Sequence, residues 1–273
     1  MQKTKIDWAD MTWNPVTGCL NQCPYCYAKK IANRFAGGGY GKEMGMFIAK
    51  YKEGAFNPPY DLHDPILKKQ KNDMYQDAPY PFGFEPTFHR YRLSEPSNIK
   101  KPQTIFVCSM ADLFGEWVPD EWIKSVFDAC KRAPQHRYLF LTKNASRTAG
   151  YDDLFNNHKN WWCGISVTNQ TDDYKLAEMT YNANRFMSIE PILEPIGLWN
   201  KIRRPFADWV IIGAETGNRK GKIIPEKKWI YDICAICAKE NVPIFMKESL
   251  RELMGDDFIQ KYPWTDWRVI VSY

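Results

Sequence analysis

The sequence predicts an α/β fold: a partial or near-complete parallel β/α barrel, with an irregular segment inserted at 37–103. Three observations predict it. From about residue 104, short apolar runs recur with polar turns between them. These runs are continuous rather than alternating, as expected of strands buried on both faces. Several are separated by stretches whose apolar residues fall at i, i+1, i+4, i+5 and i+8, one face of a helix. About six or seven β/α units result. A doubly wound open sheet is the competing arrangement, and periodicity does not separate the two.

Taken in chain order, the first strand lies near MTWNPVTG (11–18), and the helical stretch YAKKIANRFA (27–36) follows a cysteine-rich loop. Residues 37–103 break the rhythm. GGGYG opens the region, and prolines follow at 58, 59, 65, 79, 81, 86, 96 and 102. That is too long for a plain loop in a compact domain. A short helix at about 61–73 and a strand near 87–93 are expected within it. The insertion can cover an active-site mouth or simply shield a sheet edge.

The later strands are TIFVCSM (104–110), RYLFLT (137–142), WWCGISV (161–167), RFMSI (185–189), DWVIIGA (208–214) and VPIFM (242–246). Two helices stand out between them. PDEWIKSVFDACKRA places Trp122, Ile123, Val126, Phe127 and Cys130 on one face, and PEKKWIYDICAICAKEN does so with Trp229, Ile230, Ile233, Cys234 and Cys237. A proline near the first turn suits both. The expected organisation is one domain over 1–273.

Composition narrows the class. Hydrophobic residues make up 44% of the 273, enough for a sizeable core. No run approaches the roughly 18 apolar residues of a membrane span, and MQKTKIDWADMTW lacks the apolar region of a signal peptide. A cytoplasmic location, in a cell or a phage host, is therefore expected, with no membrane partner. Eight cysteines in such a compartment are ligands or buried thiols rather than disulfides. The net charge of +5 permits a nucleic-acid partner without requiring one.

The residues with most chemical content are GCLNQCPYCYA (18–28), with Cys19, Cys23 and Cys26 spaced x3 and x2. The loop follows the presumed first strand, and the C-terminal ends of parallel strands are where such folds place chemistry. Thiolates at this density suit zinc or iron–sulfur. Structural zinc takes four protein ligands, and no fourth Cys or His lies nearby; His63 is the nearest histidine. A 4Fe-4S cubane on three thiolates would leave one iron open for a small ligand. The other five cysteines fall on apolar helix faces (Cys130, Cys234, Cys237) or within strands (Cys108, Cys163), where thiols act as small hydrophobes. A single cluster is expected.

The spacing C-x3-C-x2-C, with Tyr25 as the aromatic before the last cysteine, resembles the signature of the radical S-adenosylmethionine (SAM) superfamily. SMADLFGEWVPDEW, LFLTKN, GISVTN, FMSIEPIL, DWVIIGAETG and VPIFMK resemble a narrower phage- and prophage-associated radical SAM family of unknown function, over most of residues 8–250. CPYCYA is similar to the spore photoproduct lyase branch. The resemblance implies a radical SAM barrel, one 4Fe-4S cluster on Cys19, Cys23 and Cys26, and S-adenosyl-L-methionine chelated at the open iron. It implies reductive cleavage of SAM to a 5′-deoxyadenosyl radical that abstracts hydrogen from a substrate. An external one-electron donor of flavodoxin or ferredoxin type is then required.

Polar residues collect at the strand ends: Ser109 and Asp112, Lys143 and Asn144, Ser166 and Asn169, Glu190, Glu215, and Lys247. By the resemblance, Asp112 with Ser109 corresponds to the group that meets the SAM amino nitrogen, although SMADLF departs from the common Gly-Gly-Glu. Ser166 and Asn169 correspond to contacts with the SAM carboxylate and ribose. Glu190 can accept from ribose hydroxyls, because a carboxylate is a double acceptor. Glu215 sits beside glycines that let a ligand approach the backbone. Lys143 and Lys247 suit a carboxylate or phosphate, and with Glu215 they are the candidate catalytic groups.

Two kinds of substrate are open. A nucleobase, in nucleic acid or a nucleotide, agrees with the phage and lyase resemblances and with basic–aromatic runs at FHRYRL (88–93) and NKIRRPF (200–206). A small molecule or amino-acid adduct is the other. Without auxiliary cysteines or a second domain, thiolation and cobalamin-dependent methylation are disfavoured, leaving an isomerase- or lyase-type outcome. A non-catalytic metal-binding protein is the alternative outside enzymes.

Overall fold

The computed structural model describes residues 1–36, 58–69, 74–172, 174–178, 183–197 and 207–265. The chain divides into two units, Met1–Lys3 with Met11–Tyr138, and Thr4–Asp10 with Leu139–Tyr273.

The first unit contains β1 (Gln2–Lys3), β2 (Met11–Trp13), β3 (Val16–Thr17), α1 (Tyr27–Phe35), β4 (Tyr60–Leu62), β5 (Leu67–Lys69), β6 (Tyr75–Asp77), β7 (Thr87–His89), β8 (Thr104–Val107) and α2 (Asp120–Lys131). β2 pairs in parallel with β8, Trp13 opposite Val107, and β1 pairs antiparallel with β2. β8 is buried along its whole length, as its unbroken TIFV run requires. In α2, Trp122, Ile123, Val126, Phe127, Ala129 and Cys130 are buried, while Asp120 and Glu121 in the first turn and Lys131 in the last complement the helix dipole.

The insertion is more regular than expected. β3, β7 and β4 form a small sheet, and β5 and β6 an antiparallel ribbon. The helix expected at about 61–73 is absent over 61–69, where β4 and β5 stand instead; residues 70–73 lie outside the described residues. Leu62 and Ile66, four apart and both buried, imitate a helical period. Pro65 removes a donor and restricts the residue before it, which explains why no helix forms. The strand expected at 87–93 ends at His89, and a 3-10 turn takes Arg90–Arg92. His89 is fully buried. Its Nε2 lies 2.9 Å from Thr17 Oγ1 and its Nδ1 3.0 Å from the Tyr91 hydroxyl. Burial, with Arg92 nearby, pushes its pKa well below the usual histidine value. GGGYG lies outside the described residues.

Strand β9 (Arg137–Thr142) carries the division between the units. The second unit continues with α3 (Asp152–Asn157), β10 (Trp161–Ser166), α4 (Tyr174–Glu178), β11 (Asn184–Ile189), β12 (Trp209–Ile212), α5 (Lys227–Lys239), β13 (Ile244–Met246) and α6 (Arg251–Met254). β10, β11, β12 and β13 pair in that order, all parallel. The register sets Ser166 beside Ser188, Ile189 beside Ile212, and Ile212 beside Met246, so the C-terminal ends of four strands are level. One core is built on Ile165, Met187, Val210, Ile212 and Met246 with Ile230, Ile233 and Cys237 of α5. Trp209, fully buried, makes ring contacts with Trp8, Trp162, Phe186, Phe245, Tyr262 and Trp264. Gly164 is required there because a Cβ would meet the Phe186 ring at 2.2 Å.

The parallel β/α series is present as expected. A closed barrel is not found among the described residues: β10, β11, β12 and β13 form an open run, and the first unit's strands are divided among the β1–β2–β8 run, the small β3–β7–β4 sheet and the β5–β6 ribbon. Among the same residues, no helix is long and apolar enough to cross a membrane.

Candidate functional site

In the first unit the cysteine loop leaves β3 through Gly18, whose φ of +86° suits glycine. A Cβ there would lie 2.2 Å from the Glu85 carbonyl oxygen. The Gly18 N–H donates to the Met110 carbonyl at 2.9 Å and the Cys19 N–H to the Phe84 carbonyl at 3.2 Å, so the insertion and the β8 exit both grip the loop. At its other end Cys26 is the N-cap of α1, with its Sγ accepting from the Lys29 N–H at 3.3 Å.

Cys19, Cys23 and Cys26 are all partly buried and free of disulfides. Burial pushes the Cys19 thiol up to about 12; the Asn21 backbone opposes this, and the nearby Asp112, Cys23 and Cys26 add to it. The thiols share the loop without converging: among the described residues, no three His, Cys, Asp or Glu side chains are gathered as a metal-binding group. Cys23 points at the Asn21 carbonyl, 3.9 Å away.

The β8 exit faces this loop. Cys108 follows β8 rather than lying within it, at φ +56°, and the chain turns sharply there. Asn14 ties the turn down, its Oδ1 accepting from Ser109 Oγ at 3.1 Å and from the Met110 N–H at 3.0 Å. The Ser109 carbonyl accepts from the Tyr27 hydroxyl at 2.9 Å. Asp112 is almost fully buried; Oδ1 accepts from the Phe114 N–H at 3.2 Å and Oδ2 from Asn21 Nδ2 at 3.1 Å. Tyr25 is partly buried in the same loop.

The other candidates stand at the strand ends of the second unit. Glu190 Oε1 lies 2.5 Å from Lys247 Nζ, and Oε2 accepts from Ser188 Oγ at 3.1 Å. Burial alone would lower the Lys247 pKa, but Glu190, with a smaller effect from Asp7, raises it above the usual value. Gly213 lies under the pair: a Cβ there would come 2.9 Å from both Glu190 Oε1 and Lys247 Cδ. Glu215 is buried and clamped by Arg219, Nε to Oε1 at 2.6 Å and Nη2 to Oε2 at 2.7 Å, which holds its pKa below the usual carboxylate range.

Ser166 is buried at the end of β10, and its carbonyl accepts from Lys175 Nζ at 3.4 Å. Asn169 folds onto its own loop, Oδ1 accepting from the Thr171 N–H at 3.0 Å. Asp172 binds the Thr168 N–H at 2.8 Å and pairs with the buried Lys175. Lys143 follows β9 and is partly buried, and Asn144 accepts from Ser146 Oγ at 3.0 Å.

Within the second unit, then, the structure brings Glu190 and Lys247 together and keeps Glu215 on its own arginine. Sequence reasoning missed Asn14, Asn21, Tyr27, Ser188, Lys175 and Arg219. Asn14 and Asn21 carried the available signal, as amides beside a strand end and inside the cysteine loop. Arg219, four residues after Glu215, carried a charge-spacing signal.

These features define an α/β protein whose parallel strands end in polar groups and whose β3–α1 loop carries three thiols. Residues 3–251 match the model of the family described as Protein of unknown function (DUF5131), and the chain belongs to that family. No curated protein matches it. Among solved structures it is similar to a spore photoproduct lyase complexed with a dinucleoside spore photoproduct, at 11% identity and a TM-score of 0.41. A cysteine mutant of that lyase with the same ligand gives 12% and 0.40. In both, 88% of this chain is covered, and it spans 64% of the lyase chain. A likeness of this degree carries no argument about activity.

Proposed function

We propose that this chain is a radical SAM enzyme with a single 4Fe-4S cluster, of isomerase or lyase type. The observation that carries the proposal is the triad Cys19, Cys23 and Cys26 on one loop, pinned at Gly18 and capped into α1 by Cys26. The donor set fits such a group. Three soft thiols lie in one electrostatic neighbourhood, one of them capping a helix, and none is held in a disulfide. A cluster held by Cys19, Cys23 and Cys26 would supply the one-electron reduction by which such enzymes cleave SAM.

The chain's own residues bind and orient. In this proposal Asp112, preset by Asn21 and the Phe114 N–H, accepts from the SAM amino group beside Ser109 and Tyr25. Ser166, Asn169 and Glu190 are assigned to the carboxylate and ribose. Lys143, Glu215 and Lys247 are assigned to substrate. The electron comes from an external donor of flavodoxin or ferredoxin type, and the cellular setting is the cytoplasm of a cell or phage host.

A nucleobase is the proposed substrate, supported by similarity of the sequence to the phage-associated family. In a duplex the base would have to be flipped out. A small-molecule substrate is the second reading, and one observation favours it. FHRYRL offers little to phosphates, because His89 is buried and Arg90 forms a two-pronged pair with Asp61, 2.7 Å at the closest. NKIRRPF lies outside the described residues.

The experiment is EPR of anaerobically reconstituted, reduced protein with and without SAM. A 4Fe-4S signal altered by SAM supports the proposal. Zinc with no cluster signal overturns it in favour of a non-catalytic metal protein. Salt-dependent oligonucleotide binding then separates the two substrate classes.

A further inference from the structure

We propose that the exposed face of α1 is the docking surface for the electron donor, and that this donor carries an acidic surface. The inference rests on the radical SAM reading and adds the partner's chemistry and its place of contact. α1 buries only Ala28 and Ala32, which pack on Met110 with Ile31, Tyr80 and Phe84 beside them. Tyr27, Lys29, Lys30, Asn33, Arg34 and Phe35 are exposed. At 100° per residue, Tyr27, Lys30 and Arg34 share one stripe, Phe35 flanks it, and Lys29 and Asn33 continue the exposed arc on its other side.

The charge on this helix has one sign. YAKKIANRF contains Lys29, Lys30 and Arg34 and no acidic residue, and among the described residues none of these three cations is taken by an ion pair. Elsewhere the protein does neutralise exposed helical cations: Lys131 pairs with Asp128 and Lys228 with Asp232. Large apolar groups accompany the charge. Tyr27 and Phe35 are about half exposed (48% and 47%), and so is Leu20 (49%) in the cysteine loop. Exposed apolar groups beside a one-sided row of cations suit a transient partner of opposite charge, because complementary charge steers encounter and sets orientation.

The position of the face gives it a function. Cys26 caps α1, so the helix that carries the cations begins one residue from a proposed cluster ligand and its first cation, Lys29, is three residues on; Leu20, Gln22 and Pro24 of the same loop are exposed. A carrier seated here would deliver one electron through the cysteine loop. The donor is oxidised by one electron, the cluster is reduced by one, and no covalent bond changes. A donor of this kind would bind weakly and leave quickly, as redox encounters do.

The test compares two reductants. SAM cleavage to 5′-deoxyadenosine is measured with reduced flavodoxin, an acidic one-electron carrier, and separately with dithionite, which needs no docking surface. The expected result for Lys30→Glu/Arg34→Glu is an unchanged dithionite rate and a flavodoxin-driven rate lower by roughly tenfold or more at low salt. Binding of flavodoxin to the wild-type protein, read by titration without SAM or turnover, should weaken steeply with salt and be lost in Lys30→Glu/Arg34→Glu, while the dithionite rate should not respond to salt. Lys30→Gln/Arg34→Gln should fall between wild type and the reversal, which separates charge from misfolding. Equal flavodoxin rates in wild type and the charge-reversed variant overturn the docking surface and leave the radical SAM reading standing. Absence of 5′-deoxyadenosine with dithionite in the wild type overturns both.

Discussion

Asn21 donates its side-chain amide to the Asp112 carboxylate at 3.1 Å, joining the middle of the cysteine loop to a strand exit 91 residues further along the chain. The same carboxylate accepts the Phe114 N–H through its other oxygen. Asp112 is therefore held in one orientation before any ligand arrives, which is the condition for a precise contact.

If Asp112 orients SAM, Asp112→Ala should weaken SAM binding by roughly tenfold or more, the value of one charged hydrogen bond. The iron content should stay unchanged. Asn21→Ala, which removes only the brace, should cost less. Equilibrium binding of SAM to anaerobically reconstituted protein measures both, and full affinity in Asp112→Ala would end the assignment.

Iron loading tests the loop. Cys19→Ala, Cys23→Ala and Cys26→Ala should each lose most bound iron. Gly18→Ala should also lose it without touching a ligand, because the new Cβ meets the Glu85 carbonyl at 2.2 Å and φ is +86°. Cys234→Ala/Cys237→Ala should keep the wild-type iron-to-protein ratio; a fall by about half would reveal a second cluster.

The Glu190–Lys247 pair, with side chains 18% and 24% exposed, should matter to stability as a unit. Lys247→Met leaves a largely buried carboxylate without its cation and should cost about 1–3 kcal/mol in urea unfolding. Glu190→Gln/Lys247→Met removes both charges and should recover part of that loss. Equal losses in the single and double variants would show that the pair's charges are not coupled.

The Glu215–Arg219 clamp predicts acid behaviour. Arg219 holds the folded Glu215 carboxyl below its usual value. Its contribution is fully present above the unfolded value of about 4.3 and is lost as pH falls through the lower folded value. Stability measured from pH 6 to pH 3, in the range set by about that value, should fall less steeply in Glu215→Gln than in wild type. Parallel curves would refute the coupling.

Much of this was readable from residue order. Continuous runs such as WVII and WWCGIS marked buried parallel strands because a strand covered on both faces has no polar side to show. The face Trp122–Ile123–Val126–Phe127–Cys130 marked α2 for the corresponding reason in a helix. Leu62 and Ile66 misled because two apolar residues four apart fit a helix or two short strands equally, and Pro65 decided between them. The burial of His89 was not readable from residue order, because it depends on Thr17 and Tyr91 meeting its two ring nitrogens.

By itself, the sequence determined the thiol triad, the run of polar residues at strand ends and the order of the strands, since these depend on residue type and spacing along the chain. Only the tertiary structure decided which partners those residues take. Asp112 is braced by Asn21, Glu190 holds Lys247, and Glu215 belongs to Arg219. The physical reason is that a hydrogen bond or ion pair forms between groups close in space. Strand register set that distance for Glu190 and Lys247, and the return of the chain at β8 set it for Asn21 and Asp112.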